Sequence, residues 1–489
     1  MKTTDAHHSF TNCVHQPMLF DNLGSRQVVA EFTAGHVSSD GGLLLWRDLD
    51  RSIGLTHKLS LCFSDQRDAR WVEHFVPELL AQRILGLAAG YEDLNDHNRL
   101  RVDPLLAVAA GKLDALGAQR SGPDQRGKAL AAASTLNRLE LTNNKPDSRY
   151  HKIVADHEAI AALLLRLGVS TLDKNATEVI VDFDATGTLL YGRQEGHNFN
   201  AYYGDDCYLP LLVYVGSVPL WAQLRTSDRD AADGTVAALQ QIVAAIRQRC
   251  PHAKIIVRAD SGFCREEIMA WCENQPGQRE PIYYCVGLAS NSVLVEKLQP
   301  ALAQARARAC LTGGSGREFA EFLYQTQKSW SRPRRIIGKA EVIGGEDNPR
   351  FLVTNLPRDG WRRADGDRFW PRRAYEQLYC GRGEMENCIK EQQLGLFGER
   401  LSTHWVASNQ LRLWFSAFAQ FLMERLRTLG LRGTALAGAT AETIRTRLLK
   451  IGALISVSVR RVRIQLASSF PLQELFCEVW CRLRRLPSG

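Results

Sequence analysis

Three features are missing from this 489-residue sequence, and each absence excludes a class of protein. Its twelve cysteines form no C-x-x-C pair, which excludes zinc ribbons and zinc fingers with the usual ligand spacing. No window of 18 consecutive apolar residues occurs, so we expect no membrane-spanning helix. The first 24 residues are polar and predict no secretory signal. We therefore expect a soluble protein of a reducing cytoplasm, with its cysteines present as buried free thiols.

Acidic residues are scarce in the last part of the chain. The whole sequence has 61 Lys and Arg against 53 Asp and Glu, a net charge of +8. From Arg400 to the end there are 14 basic residues and only four acidic ones, so this segment alone carries +10. Nearly all of the basic residues are arginine, which can bind a phosphate through two hydrogen bonds. A clustered excess of this kind indicates a nucleic-acid partner more strongly than the average charge does.

The spacing of apolar residues divides the chain into segments. Residues 1–165 have mostly helical spacing and predict a mostly α domain. Over 176–290 short β-branched runs alternate with helical patterns, which predicts an α/β mixed sheet covered by helices. Three strand-like runs separated by Gly, Asn and Asp indicate a β-strand insertion over 291–365. Helical character returns over 366–430, and we expect 431–489 to be a basic helical C-terminus.

Within these segments the patterns predict individual elements. Helices are expected over 73–87, 105–116, 129–141, 235–250, 261–274, 374–391 and 410–429. Strands are expected over 178–184, 207–218, 220–225, 254–260, 282–286, 319–326, 335–342 and 350–356.

Acidic residues lie at the ends of two predicted strands. Asp182 and Asp184 are two positions apart, so they share one face of their strand. Asp260 follows the apolar run Ile255–Ala259, at the strand end where ligands bind in open α/β sheets. Each has a structural alternative, since Asp184 can cap a turn and Asp260 can cap the next helix. The local pattern leaves both interpretations open.

A third acidic residue lies on a predicted helix. Tyr379, Arg382, Glu386 and Lys390 are spaced by three, four and four positions, which places them on one helical face. The alternative is a solvated face on which Glu386 pairs with Lys390. Three carboxylates that converge on two cations about 3.5–4 Å apart would support phosphoryl transfer. Magnesium prefers hard oxygen ligands of this type.

Taken in order, three motifs resemble the DDE transposases of bacterial insertion sequences. They are Asp182-Phe183-Asp184-Ala185-Thr186, Arg258-Ala259-Asp260-Ser261-Gly262-Phe263, and Tyr379-Cys380-Gly381-Arg382 leading to Glu386-Asn387. The last has the form Y-x2-R-x3-E, a signature of the cut-and-paste group with a long β insertion before the glutamate.

More closely, the chain resembles the insertion-sequence family numbered thirteen-eighty, nearly from end to end. The further segments that carry this likeness are Ser39-Asp40-Gly41-Gly42, Gly90-Tyr91-Glu92-Asp93, Ser134-Thr135-Leu136-Asn137-Arg138 and Glu386-Asn387-Cys388-Ile389-Lys390-Glu391.

The resemblance implies an RNase H-like catalytic domain over 176–290 and 366–430. It implies that the catalytic residues Asp184, Asp260 and Glu386 hold two Mg²⁺ ions, for which Mn²⁺ can substitute. Asp184 is preferred over Asp182 because it adjoins the Ala-Thr step of the family pattern.

The resemblance also implies DNA contacts and partners. Tyr379 and Arg382 would hold a phosphate at the transposon end. The wider signature has a Lys seven positions after the glutamate, where this chain has Gln393, so Lys390 is the candidate replacement. The implied partners are double-stranded DNA, as terminal inverted repeats read by residues 1–165 and as target DNA, and a second copy in a homodimeric synaptic complex. A bacterial, nucleoid-associated location follows, without a membrane.

The implied reaction is hydrolysis at the element end, followed by attack of the freed 3′-OH on target DNA. Trp361 and Trp370 are either packing residues or platforms that stack on a displaced base. Two other functions fit the same motifs. One is an RNase H-like nuclease or resolvase that cuts without joining, and the other is a non-catalytic DNA-binding protein derived from a transposase.

Overall fold

The structure is a computed structural model that describes residues 17–141, 148, 150–275, 281–361 and 366–487. Its first part is mostly helical, as predicted, with five short strands. These strands are β1 (Met18–Leu23), β2 (Arg26–Ala30), β3 (His36–Ser38), β4 (Phe63–Asp65) and β5 (Ile153–Ala155). The helices are α1 (Leu43–Ile53), α2 (Leu55–Ser60), α3 (Val76–Ala89), α4 (His97–Leu100), α5 (Pro104–Ala109), α6 (Ala133–Glu140) and α7 (His157–Ser170).

The middle of the chain supplies most of the strands. They are β6 (Glu178–Ala185), β7 (Thr188–Leu189), β8 (Asn198–Asn200), β9 (Asp205–Tyr208), β10 (Leu211–Val215), β11 (Val218–Gln223), β12 (Lys254–Ala259), β13 (Ile282–Leu288), β14 (Gly316–Tyr324), β15 (Arg334–Ile343), β16 (Glu346–Asp347) and β17 (Arg350–Thr354). Three helices interrupt them, α8 (Thr235–Arg249), α9 (Glu266–Glu273) and α10 (Ser292–Thr312).

The last part of the chain returns to helices and adds one hairpin. The helices are α11 (Pro371–Arg373), α12 (Gly383–Lys390), α13 (Val406–Arg425), α14 (Ala441–Ile444) and α15 (Gln473–Arg484). The hairpin is formed by β18 (Ala453–Ser458) and β19 (Arg461–Leu466). Helical turns of 3-10 and π type join α11 to α12 and continue α12 to Gly395.

A nine-stranded mixed sheet is the centre of the fold. Eight of its strands run in the order β11-β10-β6-β12-β13-β17-β15-β14, and β16 pairs with β15. The neighbours β6, β12 and β13 are parallel, while β10 and β17 are antiparallel to the strands beside them. The β-branched runs of β6 and β12 are buried on both faces because helices cover the sheet on each side. This is the mixed α/β sheet that the sequence predicts.

Residues 291–365 extend this sheet instead of forming a separate one. Strand β17 pairs with β13, and β15 and β14 follow outward from it. Helix α10, which the sequence patterns do not predict, packs on β14 and β15. Its buried residues recur at helical spacing, but Pro300 and many charged residues lie between them and obscure the pattern.

The C-terminal region differs from the helical prediction. Strands β18 and β19 pair antiparallel, and β3 from the N-terminal part joins β18 as a third strand. Apolar residues alternate with polar ones over Ile455–Ser458 and over Arg461–Leu466, which is the period of a strand and not of a helix.

The cysteines also differ in part from the prediction. Of those that the structure describes, all are free thiols, as predicted, but four are exposed, namely Cys310, Cys380, Cys477 and Cys481. Cys13 lies outside the described residues. Along the described ranges, no helix is long and apolar enough to cross a membrane.

Two short motifs of the N-terminal part, Ser39-Asp40-Gly41-Gly42 and Gly90-Tyr91, contact the C-terminal part of the chain near Lys450. Asp40 is buried and accepts hydrogen bonds from the Tyr91 hydroxyl at 2.6 Å and from Lys450 at 2.5 Å. A methyl group at Gly42 would lie 2.3 Å from the Leu449 Cα. The segment that leads into β18 is therefore fixed against the N-terminal helices.

One glycine allows α10 to lie against the outer strands. A Cβ atom at Gly316 would lie 1.8 Å from the Ala305 carbonyl oxygen on α10, whereas a Cβ atom at Gly314 has no neighbour within 4 Å. We expect Gly316→Ala to destabilise the protein by about 2 kcal/mol or more, since the backbone must move apart. Thermal melting should show a clear loss for Gly316→Ala and none for Gly314→Ala. Equal melting of both variants would contradict the packing of α10 on β14.

Candidate active site

Two acidic residues lie at one edge of the central sheet. Asp184 is near the end of β6, and Asp260 follows β12 directly. The two strands are parallel, and Ala259 pairs in register with Phe183. The acidic residues that come directly after these two therefore lie at the same height along the sheet. Because the C-terminal ends of parallel strands meet at one edge, the fold places these two carboxylates at the same edge of the sheet.

Asp182 is held by a buried arginine. The Arg258 guanidinium donates Nε to Asp182 Oδ1 at 2.5 Å and Nη2 to Oδ2 at 2.7 Å. Both residues are less than a tenth exposed, and they are register partners on β6 and β12. Burial raises the pKa of Asp182, and the hydrogen bonds from Arg258 oppose that rise. Asp182 is therefore a structural partner of Arg258, whereas Asp184 has no such fork.

Asp184 lies in an excess of negative charge. Its pKa is raised from an ordinary 3.8 to about 6, first by burial and then by the nearby charge of Asp260, with Glu386 adding to the effect. The positive charge of Arg382 opposes this rise. The three acidic residues that the sequence singles out therefore act on one another electrostatically.

Arg382 lies among these carboxylates. Its Nη2 is 2.8 Å from Glu386 Oε1, one helical turn along, and its Nη1 is 3.6 Å from Asp184 Oδ1. Burial lowers the pKa of Arg382, but Tyr379, Asp184 and Glu386 outweigh this and the net shift is upward. Glu386 thus pairs with Arg382 and not with Lys390, which is exposed at the end of α12.

The Tyr379 side chain reaches the same edge across a glycine. A Cβ atom at Gly287 on β13 would lie 2.5 Å from the Tyr379 hydroxyl oxygen and 2.9 Å from the Ser261 backbone nitrogen. Burial raises the pKa of Tyr379, so its hydroxyl stays protonated and can donate a hydrogen bond. The lack of a side chain at Gly287 therefore leaves room for the Tyr379 hydroxyl to lie near Asp260.

Two further contacts fix the helical segment that carries Tyr379, Arg382 and Glu386. Arg258 Nη1 donates to the Leu378 carbonyl oxygen at 2.5 Å, and a Cβ atom at Gly381 would lie 2.6 Å from that Nη1. The buried Tyr214 hydroxyl on β10 lies 2.7 Å from Gln392 Oε1. The segment is thus fastened to the sheet before and after Glu386.

Three of these supporting residues escaped prediction as site residues, namely Arg258, Gly287 and Gly381. Arg258 left a signal, because a charged residue inside an apolar strand requires a buried partner. The two glycines left none, since their role depends on which distant side chain lies above them.

A cavity of about 720 Å³ is lined by residues that follow Asp184 and Glu386 in the chain, but by neither carboxylate itself. Gly187, three residues after Asp184, lines one side, and Gln393, one turn after Lys390, lines another. Gln393 stands where the wider family signature has lysine, so the cavity wall at this point is uncharged.

Trp361 and Trp370 differ in their surroundings. The Trp361 ring packs on Tyr283 and Phe369, with centroids 5.1 and 4.9 Å away, so it belongs to the core on that side of the sheet. Trp370 is 45% exposed, and the Arg358 guanidinium lies 4.8 Å from its ring centroid.

The carboxylate edge suits hard divalent cations by its chemistry. Within the described ranges, no three His, Cys, Asp or Glu side chains stand close enough to hold an ion in their present positions. Burial is the largest cause of the raised pKa of Asp184, and the charges of Asp260 and Glu386 add to it while Arg382 opposes it. Three such carboxylates fit a cation, provided that Arg382 turns away from Glu386 and Asp184.

Two comparisons with known proteins give a match, one with a family model and one with a solved structure of low similarity. A family model described as "Transposase DDE domain group 1" matches residues 20–488. Among curated proteins none matches. Among solved structures, a piggyBac transposase synaptic complex with hairpin DNA is similar at 8% sequence identity, covering 84% of this chain and 80% of that chain with a TM-score of 0.37.

The two aspartates of β6 should respond oppositely to the same substitution. Asp182→Asn leaves buried Arg258 without its counter-charge and should destabilise the protein by about 3 kcal/mol. Asp184→Asn should stabilise it, because the charged carboxylate costs free energy of folding as pH rises from 3.8 to about 6. The gain should reach about 3 kcal/mol above that window and shrink towards pH 4.

Thermal melting in EDTA at pH 4.5 and pH 7.5 would test both effects. The wild type and Asp182→Asn provide the matched comparison. A lower melting temperature for Asp184→Asn than for the wild type at pH 7.5 would contradict the electrostatic excess at this edge.

Proposed function

The chain belongs to the transposase family whose DDE domain is of group 1, and from that premise we propose that it is a DNA transposase of the insertion-sequence type. It would bind terminal inverted repeats, cleave the element ends and join the 3′-OH to target DNA. One observation carries the proposal. Arg382 pairs with Glu386 and lies 3.6 Å from Asp184, and the charges of Asp260 and Glu386 both raise the pKa of Asp184. The motif Tyr379-x2-Arg382-x3-Glu386 supports membership of the Y-x2-R-x3-E group and of family thirteen-eighty.

Enzymes of this family use divalent metals, and we propose that Asp184, Asp260 and Glu386 hold two Mg²⁺, with Mn²⁺ as a substitute. When bound, the ions would activate the attacking oxygen and stabilise charge on the phosphate and the leaving oxygen. Asp182 is the poorer ligand, because Arg258 already occupies both of its oxygens.

Arg382 would exchange its carboxylate partners for a phosphate. Its present partners, Glu386 and Asp184, are the proposed metal ligands, so metal binding removes the charges that hold it. The freed guanidinium can fork onto a phosphate at the element end. The protonated Tyr379 hydroxyl would donate to an oxygen of the same phosphate, and exposed Lys390 would contact the DNA backbone one turn away.

The sheet supports an RNase H-like catalytic domain formed from 176–290 and 366–430. The hairpin β10–β11 lies antiparallel on one side of β6, and the parallel strands β12 and β13 lie on the other. We propose that residues 1–165 bind the element ends and that two copies assemble in a synaptic complex, since joining requires both ends in one place.

Cleavage of DNA would test the three acidic residues. A supercoiled plasmid that carries the DNA flanking this gene should be cut at the repeat ends with Mg²⁺ and not with EDTA. Asp184→Asn, Asp260→Asn and Glu386→Gln should each lower the rate at least about a hundredfold, because metal stabilisation of the transition state is worth several kcal/mol. The matched control is Glu384→Gln, an exposed glutamate on the same helix that should keep its activity.

The products separate the alternatives. Joined 3′ ends in target DNA support the transposase proposal, whereas cutting without joining would favour a nuclease or resolvase. Metal-dependent cutting that survives all three substitutions would overturn the site assignment, and end binding without any cutting would favour a DNA-binding protein.

A further inference from the structure

Five of the 14 basic residues from Arg400 onward are paired with carboxylates of the fold. The pairs are Arg400–Glu92, Arg412–Glu140, Arg427–Glu391, Lys450–Asp40 and Arg482–Glu478. Arg445 is buried and donates to the carbonyl oxygens of Ala88 and Gly395. These residues hold the fold together, so they are not free to meet a polyanion.

The hairpin β18–β19 is where unbalanced charge is concentrated. Arg460, Arg461 and Arg463 are all exposed, and no ion pair joins any of them to a carboxylate of the described chain. Three arginines thus lie within four positions, at and directly after the two-residue turn of the hairpin. Within the described part of the last ninety residues, these three form the densest group of exposed arginines without an ion pair.

The base of the hairpin is rigid while its outer half projects. Ala453 and Ile455 are buried at the base, where β3 pairs with Ala453, Leu454 and Ile455. Beyond Ile455 the ribbon has no third strand, and every residue from Ser456 to Arg463 is exposed. A hairpin with a fixed base and a projecting end can insert into a groove of a binding partner.

The two faces of the outer half differ in chemistry. Ser456 is opposite Arg463 and Ser458 is opposite Arg461, so hydroxyls and guanidiniums share one face. Val457 and Val462 face each other on the reverse side, in line with the buried base. Val459 and Arg460 form the turn, and Val459 is fully exposed. The polar face carries donors suited to phosphate oxygens, and the tip combines an apolar and a basic residue.

We propose that the β18–β19 ribbon is a DNA-binding arm that lies in the major groove of the element-end duplex. Arg461 and Arg463 would contact phosphates, and the tip residues Val459 and Arg460 would reach the base edges. The major groove is the groove of B-DNA wide enough to admit a two-stranded ribbon. This inference rests on the proposed function for its ligand, and it adds a reading element to the end-binding residues 1–165.

The salt dependence of DNA binding would test the arm. The triple variant Arg460→Ala/Arg461→Ala/Arg463→Ala should bind an element-end duplex at least about tenfold more weakly than the wild type. The slope of log affinity against log salt should fall by about two, since the phosphate contacts of Arg461 and Arg463 each contribute nearly one. Fluorescence anisotropy of a labelled duplex at several salt concentrations measures both quantities.

The matched control removes the same charge from paired arginines. The triple variant Arg306→Ala/Arg308→Ala/Arg332→Ala takes three exposed guanidiniums from ion pairs with Asp347, Glu318 and Glu273. It should keep the wild-type slope. Equal effects of the two triple variants would overturn the arm and leave only a general effect of charge.

The outcomes separate this inference from the proposed function. If the wild type binds and cleaves element ends and the hairpin variant matches it in affinity and slope, only the arm is overturned. If the wild type itself does not bind element ends, both are overturned. A melting curve of the hairpin variant that matches the wild type shows that the fold survives, as expected for exposed side chains.

Chemical footprinting would locate the groove. Dimethyl sulfate methylates guanine N7, which lies in the major groove. The wild type should protect specific guanines at the element end, and the hairpin variant should lose that protection. Protection that persists unchanged in the variant would overturn the placement of the ribbon in the major groove.

Discussion

The buried pair between Asp182 and Arg258 is the interaction on which the candidate site depends. Arg258 on β12 donates two hydrogen bonds to Asp182 on β6, and its remaining nitrogen donates one to the Leu378 carbonyl oxygen. One guanidinium therefore fixes two strands and the start of the helical segment that carries Glu386. A buried ion pair adds little net stability, but removal of one partner is costly. Its contribution here is positional, because it fixes β6, β12 and the segment that carries Glu386 relative to one another.

Around that fixed frame the site balances charge with one movable cation of its own. Arg382 reduces the repulsion among Asp184, Asp260 and Glu386, and burial keeps that repulsion strong. The same guanidinium suits phosphate recognition. Under the proposed function the site would couple two tasks, since a cation that neutralises the carboxylates would also release Arg382 for the substrate phosphate.

Much of the fold and of the site could be predicted from the sequence, and the remainder has physical reasons. The β-branched runs of β6 and β12 predict buried strands of a mixed sheet. The acidic residues at the ends of these strands predict a binding site at that edge of the sheet. Helix α10 escaped because charged residues and Pro300 dilute its apolar spacing. The choice between Asp182 and Asp184 could not come from spacing, since both share a face and only Arg258 distinguishes them. Gly287 matters only through Tyr379, ninety-two positions away in the chain.

The wide separation of Asp184, Asp260 and Glu386 along the chain has a consequence for synthesis. The first two can meet once β12 has paired with β6, but the third arrives only after the strands β14–β17 have been added to the sheet. Contacts between such distant segments form slowly, because long loops must close first. During translation the ribosome must therefore release more than three quarters of the polypeptide before a cutting centre can exist. Under the proposed assignment, a product that terminates before Glu386 would lack one of the three carboxylates and could not cut DNA.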